Sequence, residues 1–415
     1  MVMENNNIII TTTPSQNPNQ DQQRINNTNT NTNNDGDGDK RSGGGGGRVV
    51  MNKATYVPLL VINFLFLFVG SVSSSLLSKY YFNHNGKSIW VSTWVQCAGF
   101  PLLLLPIFLP YHLFKSTARK PFTHFTPSLL LLSLLIGLLL GLNNLLFSYG
   151  NSFLPVSTSA LLLSSQLAFT LVLSVLIVKQ KITFSNLNCV ILLVTSSVLL
   201  ALGSNHDKPK NLTRSNYFVG FFCTIGAGLL FALYLPVMER IYRKVYCYAM
   251  VMEMQLVMEL AATALATAGM AGRGGFEEMV AESRPGPVGF DKGATAYWLT
   301  VGFNVVTWQL CFMGTAGMVF LTSSLTGGIC MTALMTMNVI GGVVVYGDEF
   351  GGTKAVSAVL SVWGFCSYVY GMYINMKHQQ TLISSNTNDS TNHHQQQQQN
   401  QSVEMVAMLN VDDRV

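Results

Sequence analysis

Two long stretches of this chain carry no Asp, Glu, Lys or Arg: one between Pro121 and Val178, the other between Gly293 and Gly347. A helix needs about 20 mostly apolar residues to cross the hydrocarbon of a bilayer, so each stretch holds two crossings and a tight turn. Charged residues make up 10% of the 415-residue chain and hydrophobic ones 49%. An ordinary soluble domain is about a quarter charged. So few charges cannot hydrate a soluble surface, whereas a lipid-solvated surface needs none. The expected fold is therefore all-α and integral to the membrane.

Apolar windows place ten spans at about 54–78, 90–111, 127–147, 155–178, 185–203, 217–238, 248–270, 296–317, 319–346 and 355–375. They divide at the polar loop Ser204–Asn216 into two five-helix units, 54–203 and 217–375. Residues 1–50 and 378–415 are rich in Asn, Gln, Thr, Ser and Gly. Such composition buries too little apolar surface to offset its ordering entropy, so both are expected to be disordered tails. The head has no cationic start followed by an apolar core, so no secretory signal peptide is expected there.

The two units are expected to be inverted repeats. Val178-Lys-Gln-Lys-Ile-Thr183 closes the fourth span, and Gly347-Asp-Glu-Phe-Gly-Gly352 closes the ninth. The same register lays Ser159 on Gly327 and Thr170 on Asn338. One corner is basic and its counterpart acidic, as inversion requires if Lys and Arg favour the cytoplasm. Counting Lys and Arg in the loops places both termini on the cytosolic side, as an even number of spans demands. Asn211-Leu-Thr213 is then a glycosylation acceptor sequence on the opposite face.

A polar side chain inside lipid must face protein or a water-filled path. Ser159, Gln166, Thr170 and Ser174 share one face of the fourth span; Asn304, Trp308, Cys311 and Thr315 share one of the eighth. The ninth offers Ser323, Gly327, Leu334 and Asn338, and the third Asn143 and Asn144. For the small residues, close helix packing is the competing reading. For the amides Gln166, Asn304 and Asn338, a substrate path is favoured, because a primary amide buries two donors and an acceptor. Trp308 lies deep enough to stack on a ring. Trp94 either turns inward with Cys97 and Pro101 or belongs, like Trp90 and Trp298, to the interfacial aromatic belt.

The deep parts of the spans hold no fixed cation, which argues against a phosphate-bearing cargo and for a neutral, planar, hydrogen-bonding one. Glu253 and Glu259 in the seventh span are the exceptions. A carboxylate at that depth costs about 2.5–3.5 kcal/mol on insertion scales, so both are candidates for proton coupling. Glu253 has a second reading, a pair with Arg243 or Lys244 near the headgroups. No hydrolase, zinc-protease or P-loop signature occurs, so no enzyme is expected. The seven cysteines show no metal spacing and read as small buried hydrophobes. The net charge of +5 is spread over loops rather than one stripe, which points to membrane flanks and not to nucleic acid.

Several ordered fragments resemble the plant purine permeases, a branch of the drug/metabolite transporter superfamily. They include Ser78-Lys-Tyr-Tyr-Phe-Asn-His-Asn-Gly-Lys-Ser-Ile-Trp90 with Gln96-Cys-Ala-Gly-Phe-Pro101, and Leu154-Pro-Val-Ser-Thr-Ser-Ala-Leu-Leu-Leu-Ser-Ser-Gln-Leu-Ala-Phe169. Leu233-Tyr-Leu-Pro-Val-Met-Glu239, Val251-Met-Glu-Met-Gln255, Leu321-Thr-Ser-Ser-Leu325 and Trp363-Gly-Phe-Cys-Ser-Tyr-Val-Tyr-Gly371 continue the match, which spans about 54–375. The resemblance implies a ten-helix carrier with cytosolic termini that takes up purine bases and derivatives such as cytokinins, driven by the proton gradient and without a cofactor. In the ninth span Thr336-Met-Asn-Val339 stands where the family pattern has a Pro-Val-Thr-Glu-like stretch.

The expected activity is secondary transport of purine-like solutes across the plasma membrane. The candidate substrate residues are Gln166, Thr170, Asn143, Asn304, Trp308, Asn338, Ser323 and Trp94, with Glu253 and Glu259 for the proton. A metabolite exporter or vacuolar carrier of the same superfamily is the alternative within the class. A membrane receptor or scaffold is the alternative outside it.

Overall fold

A computed structural model describes residues 2–4, 7–11, 48–112, 120–123, 125–153, 156–180, 182–203, 214–245, 247–286, 289–346, 351–353, 355–374 and 377. The membrane body is α-helical. Its elements are α1 (Lys53–Asn83), α2 (Ile89–Cys97), α3 (Leu104–His112), α4 (Pro127–Phe153), α5 (Val156–Leu173), α6 (Phe184–Gly203), α7 (Arg214–Tyr242), α8 (Tyr248–Arg273), α9 (Gly275–Ser283), α10 (Ala294–Leu321), α11 (Ser324–Tyr346) and α12 (Ala355–Ile374). Among the described residues, eight helical segments are long and apolar enough to cross a bilayer. The fourth and fifth expected spans fall on shorter apolar stretches, Ser165–Val178 and Phe184–Leu199.

The helix ends follow local chemistry. Thr126 accepts from the Leu129 N–H ahead of Pro127, which needs no donor at a helix start. Ser88 caps α2 by accepting from the Val91 N–H. The second expected span is interrupted: after Cys97 the chain tightens into a 3₁₀ turn, Phe100–Leu103, before α3 resumes. Pro101 in that turn has no N–H to continue an α-helical ladder. α5 widens into a π-turn at Ser174–Val178 and stops at Lys179, which is left-handed (φ 56°). The boundary expected between 317 and 319 lies later, because α10 continues to Leu321 and Thr322 leaves the helix at φ −127°, ψ −92°.

α10 and α8 form the centre, with 72% and 61% of their apolar windows buried, against 28% for α1 and α12 at the periphery. Backbones meet closely where glycine removes the side chain. A Cβ on Gly70 would strike the Cys311 backbone, and one on Gly314 the Leu67 backbone, so α1 and α10 cross in near contact. Gly137 places α4 against the Met258 backbone of α8 in the same way.

The expected loop 271–295 contains α9, which is strapped to the α1–α2 turn. Buried Glu282 accepts from the Lys87 and Ser88 N–H groups at 2.7 and 2.9 Å. Its other oxygen accepts from the Tyr81 and Tyr297 hydroxyls at 2.8 and 3.1 Å.

Two expectations need correction. The head segment 1–50 is not without structure throughout: Val2–Glu4, Asn7–Thr11 and Arg48–Asn52 pair as an antiparallel three-stranded sheet, β1-β2-β3. In the register Ile8, Ile9 and Ile10 stand opposite Met51, Val50 and Val49. The cysteines are free, and Cys97, Cys189, Cys311 and Cys330 are buried, but Cys366 is exposed on α12. The tail 378–415, the acceptor sequence Asn211-Leu-Thr213, the 347–350 corner and the Ser159 side chain lie outside the described residues.

Candidate purine site

One cavity of about 90 Å³ lies where α1, α2, α4, α5, α7, α10 and α11 converge. Its polar wall comes from Ser71, Ser74 and Ser75 of α1, Gln96 of α2, Asn143 and Asn144 of α4, Gln166 of α5 and Asn338 of α11. The apolar wall is aromatic and thioether: Phe147, Phe231, Trp308, Phe312, Met331 and Met335. A slot of this kind suits a flat solute with a polar edge.

The amides are held but not saturated. Asn338 donates to the Ser75 hydroxyl at 2.9 Å, and its carbonyl oxygen is buried without a partner. Asn143 donates to the Asn144 carbonyl at 3.4 Å, leaving its own oxygen and the Asn144 NH₂ unpaired. Gln96 is anchored by the Ser92 carbonyl and the Ser148 hydroxyl at 3.0 and 2.9 Å. The Trp308 indole stacks on Phe312 (centroids 5.7 Å, interplanar angle 29°) and meets Phe147 edge-on at 6.0 Å. Its N–H is buried without a partner. Buried polar atoms are nearly always bonded, so these four atoms are the groups that a polar solute in this cavity could satisfy.

Of the residues singled out in the sequence, Gln166, Asn143, Trp308 and Asn338 come together here. Others line no part of the cavity. Thr170 returns its hydroxyl to the Gln166 carbonyl and packs against Gly328. Asn304 lies one turn from Trp308, bonded to Ser78 at 3.3 Å. Ser323 sits at the α10–α11 corner with Thr326 and Gln180. Trp94 packs on Cys97, Ala262 and Ala266, which is the inward of its two readings.

The two carboxylates of α8 differ. Glu259 is fully buried; one oxygen accepts from Gln255 at 2.8 Å and from Gln309 at 3.3 Å, and the other has no partner among the described residues. Gln309 follows Trp308 in sequence, so this carboxylate is bonded to α10, the helix that brings Trp308 to the cavity. Glu253 is buried and engaged within the fold. Arg243 pairs with Glu239 at 2.9 Å.

The serine wall of α1 was not apparent in the sequence. Ser71-Val-Ser-Ser-Ser75 reads as a packing stretch, and only the amide of Asn338 on a distant helix shows which side is polar. Phe231 and Phe312 gave no signal among so many apolar neighbours.

A family model described as purine nucleobase transmembrane transport matches residues 58–378. The chain belongs to the purine permease family. Probable purine permease 4 of Arabidopsis thaliana is 66% identical over 300 residues, covering 72% of this chain and 78% of that protein. Purine permease 3 of the same plant is 35% identical over 320 residues, covering 75% and 90%. A crystal structure 13% identical in sequence superposes with a TM-score of 0.54 over 75% of this chain and 98% of its own, a likeness of fold alone. Family membership bears out the resemblance read from fragments such as Val251-Met-Glu-Met-Gln255, and the matched region leaves both tails outside.

Proposed function

We propose that this purine permease takes up purine nucleobases, and derivatives such as cytokinins, through the cavity between α1, α4, α5, α10 and α11, coupled to proton entry across the plasma membrane. Purine nucleobase transport follows from the family; the site, the coupling and the membrane are the proposal. The observation that carries it is that Gln166, Asn143 and Asn338 line one cavity together with Trp308, Phe312 and Phe231. An amide edge and an aromatic wall complement a heterocycle that hydrogen-bonds in its plane and stacks on its face.

The carrier is proposed to have ten spans in two inverted five-helix units, 54–203 and 217–375, with both termini cytosolic. α4, α5 and α6 begin at 127, 156 and 184, and α10, α11 and α12 at 294, 324 and 355. The contact between α6 and α12 supports a two-fold relation. Ser196 bonds the Ser357 hydroxyl at 2.9 Å, and Gly364 lies against the Cys189 carbonyl. Adding 168 to 196 and 189 gives 364 and 357, so each contact is the symmetry mate of the other, as in a self-complementary interface. In such repeats substrate sits at the interface of the halves.

Glu259 is proposed to carry the coupling proton, with Glu253 in reserve. Its unpaired oxygen offers a position for a proton in a fully buried setting, and Gln309 links it to the helix that carries Trp308. The test is uptake of labelled adenine and trans-zeatin into vesicles holding the protein, with and without an inward proton gradient. Gradient-stimulated accumulation is expected. Uptake of neither compound in either condition refutes the reading.

A further inference from the structure

We infer that Asn143 and Asn144 act together as a donor–acceptor reader of the purine edge, selecting heterocycles with an exocyclic amino or carbonyl group beside a ring nitrogen. The inference rests on the cavity being the purine site. Adjacent residues on a helix point about 100° apart, yet both of these asparagines face the cavity and both are buried. They bond each other, Asn143 Nδ2 to Asn144 Oδ1 at 3.4 Å, which spends one donor and one acceptor. The Asn143 carbonyl oxygen and the Asn144 NH₂ group are then left unpartnered among the described residues.

The pattern does not depend on how the amides are oriented. Rotating both by half a turn exchanges the roles of the two residues and still leaves one donor and one acceptor. A 6-aminopurine presents an N–H beside the N1 acceptor, and a 6-oxopurine presents a carbonyl beside the N1–H. Either fits a paired donor and acceptor. Two of the neighbouring polar groups are already engaged: Asn338 has spent a donor on Ser75, and Gln96 is tied to Ser92 and Ser148. A site built to hydrogen-bond its ligand rejects an isostere lacking the group, because its own buried atoms are then left unpaired.

6-Methylpurine is the diagnostic probe, since it keeps the size, stacking face and N1 acceptor of adenine but has no amino hydrogen. Competition against labelled adenine uptake is measured for adenine and 6-methylpurine in the wild type, Asn143→Ser and Asn144→Ser. The wild type is expected to prefer adenine by about tenfold or more, and at least one variant to bring the two within about twofold. A wild type without that preference, or a preference intact in both variants, overturns the inference. A wild type that takes up no adenine refutes the purine reading itself, a separate outcome. If a variant fails to reach the membrane, the same comparison is made on detergent-solubilised protein by ligand-induced melting shifts. There, adenine shifts equal to those of the wild type in both variants count against the pair.

Discussion

Asn338 of α11 donates its amide N–H to the hydroxyl of Ser75 on α1 at 2.9 Å, joining two helices that both line the cavity. That bond uses one donor of the amide, and its carbonyl oxygen is left as a buried acceptor with no partner among the described residues.

Replacing Asn338 with Leu removes that acceptor and strands the Ser75 hydroxyl. Loss of about 1–3 kcal/mol per unpaired buried group corresponds to purine binding weaker by about tenfold or more. Ser75→Ala keeps the amide and loosens it, so its effect is expected to be smaller, about threefold. Isothermal binding of adenine to purified protein ranks the two, and a Ser75→Ala loss larger than that of Asn338→Leu contradicts the arrangement.

Gln166 lines the same cavity from α5. Gln166→Leu is expected to weaken purine binding about tenfold or more, again through an unmet ligand group. Thr183→Ala is the control. Thr183 accepts from the Asn186 N–H at 3.3 Å at the exposed start of α6, far along the chain from the cavity lining. Its loss costs a cap and nothing in binding. Normal adenine affinity in a well-folded Gln166→Leu protein removes the residue from the site.

How far these relationships could be read in advance depended on the kind of signal. A buried amide such as Gln166 or Asn338 is anomalous in an apolar run, and its cost in lipid makes it visible in one dimension. Ser71, Ser74 and Ser75 are cheap to bury anywhere, so the sequence does not separate a packing serine from a cavity serine. The break between α2 and α3 depends on Pro101 being placed in a 3₁₀ turn rather than merely kinking one helix. Asn304 shares a helix face with Trp308 but lies outside the cavity lining, donating to Ser78 of α1 at that level with its own carbonyl oxygen unpartnered among the described residues.

Coupling is tested at Glu259. Glu259→Gln retains the shape of the side chain and its place between Gln255 and Gln309, but cannot load and unload a proton. Uptake driven by an inward proton gradient is expected to fall about tenfold or more, with equilibrium adenine binding changed less than about threefold. Glu253→Gln run in parallel separates the two carboxylates. Should gradient-driven uptake persist in Glu259→Gln and collapse in Glu253→Gln, the proton belongs to Glu253.

The close crossing of α1 and α10 gives a prediction about stability. Gly314 has no room for a Cβ, which would meet the Leu67 and Asn63 backbones, and these are not flexible side-chain ends that can swing away. Gly314→Ala must push the helices apart, opening the packing of Leu67, which is fully buried, and of the cavity wall contributed by Cys311. Overpacking of this kind typically costs about 1–3 kcal/mol. Gly302 lies on the same helix with nothing within 4 Å of the added carbon, so Gly302→Ala gains helix propensity without a clash. The two variants are otherwise the same chemical change in the same helix. Melting of detergent-solubilised protein should therefore show Gly314→Ala clearly destabilised and Gly302→Ala at or above the wild type. Equal melting temperatures for the pair would mean that α1 and α10 are not in backbone contact, and the serine wall that α1 brings to the cavity would lose its support.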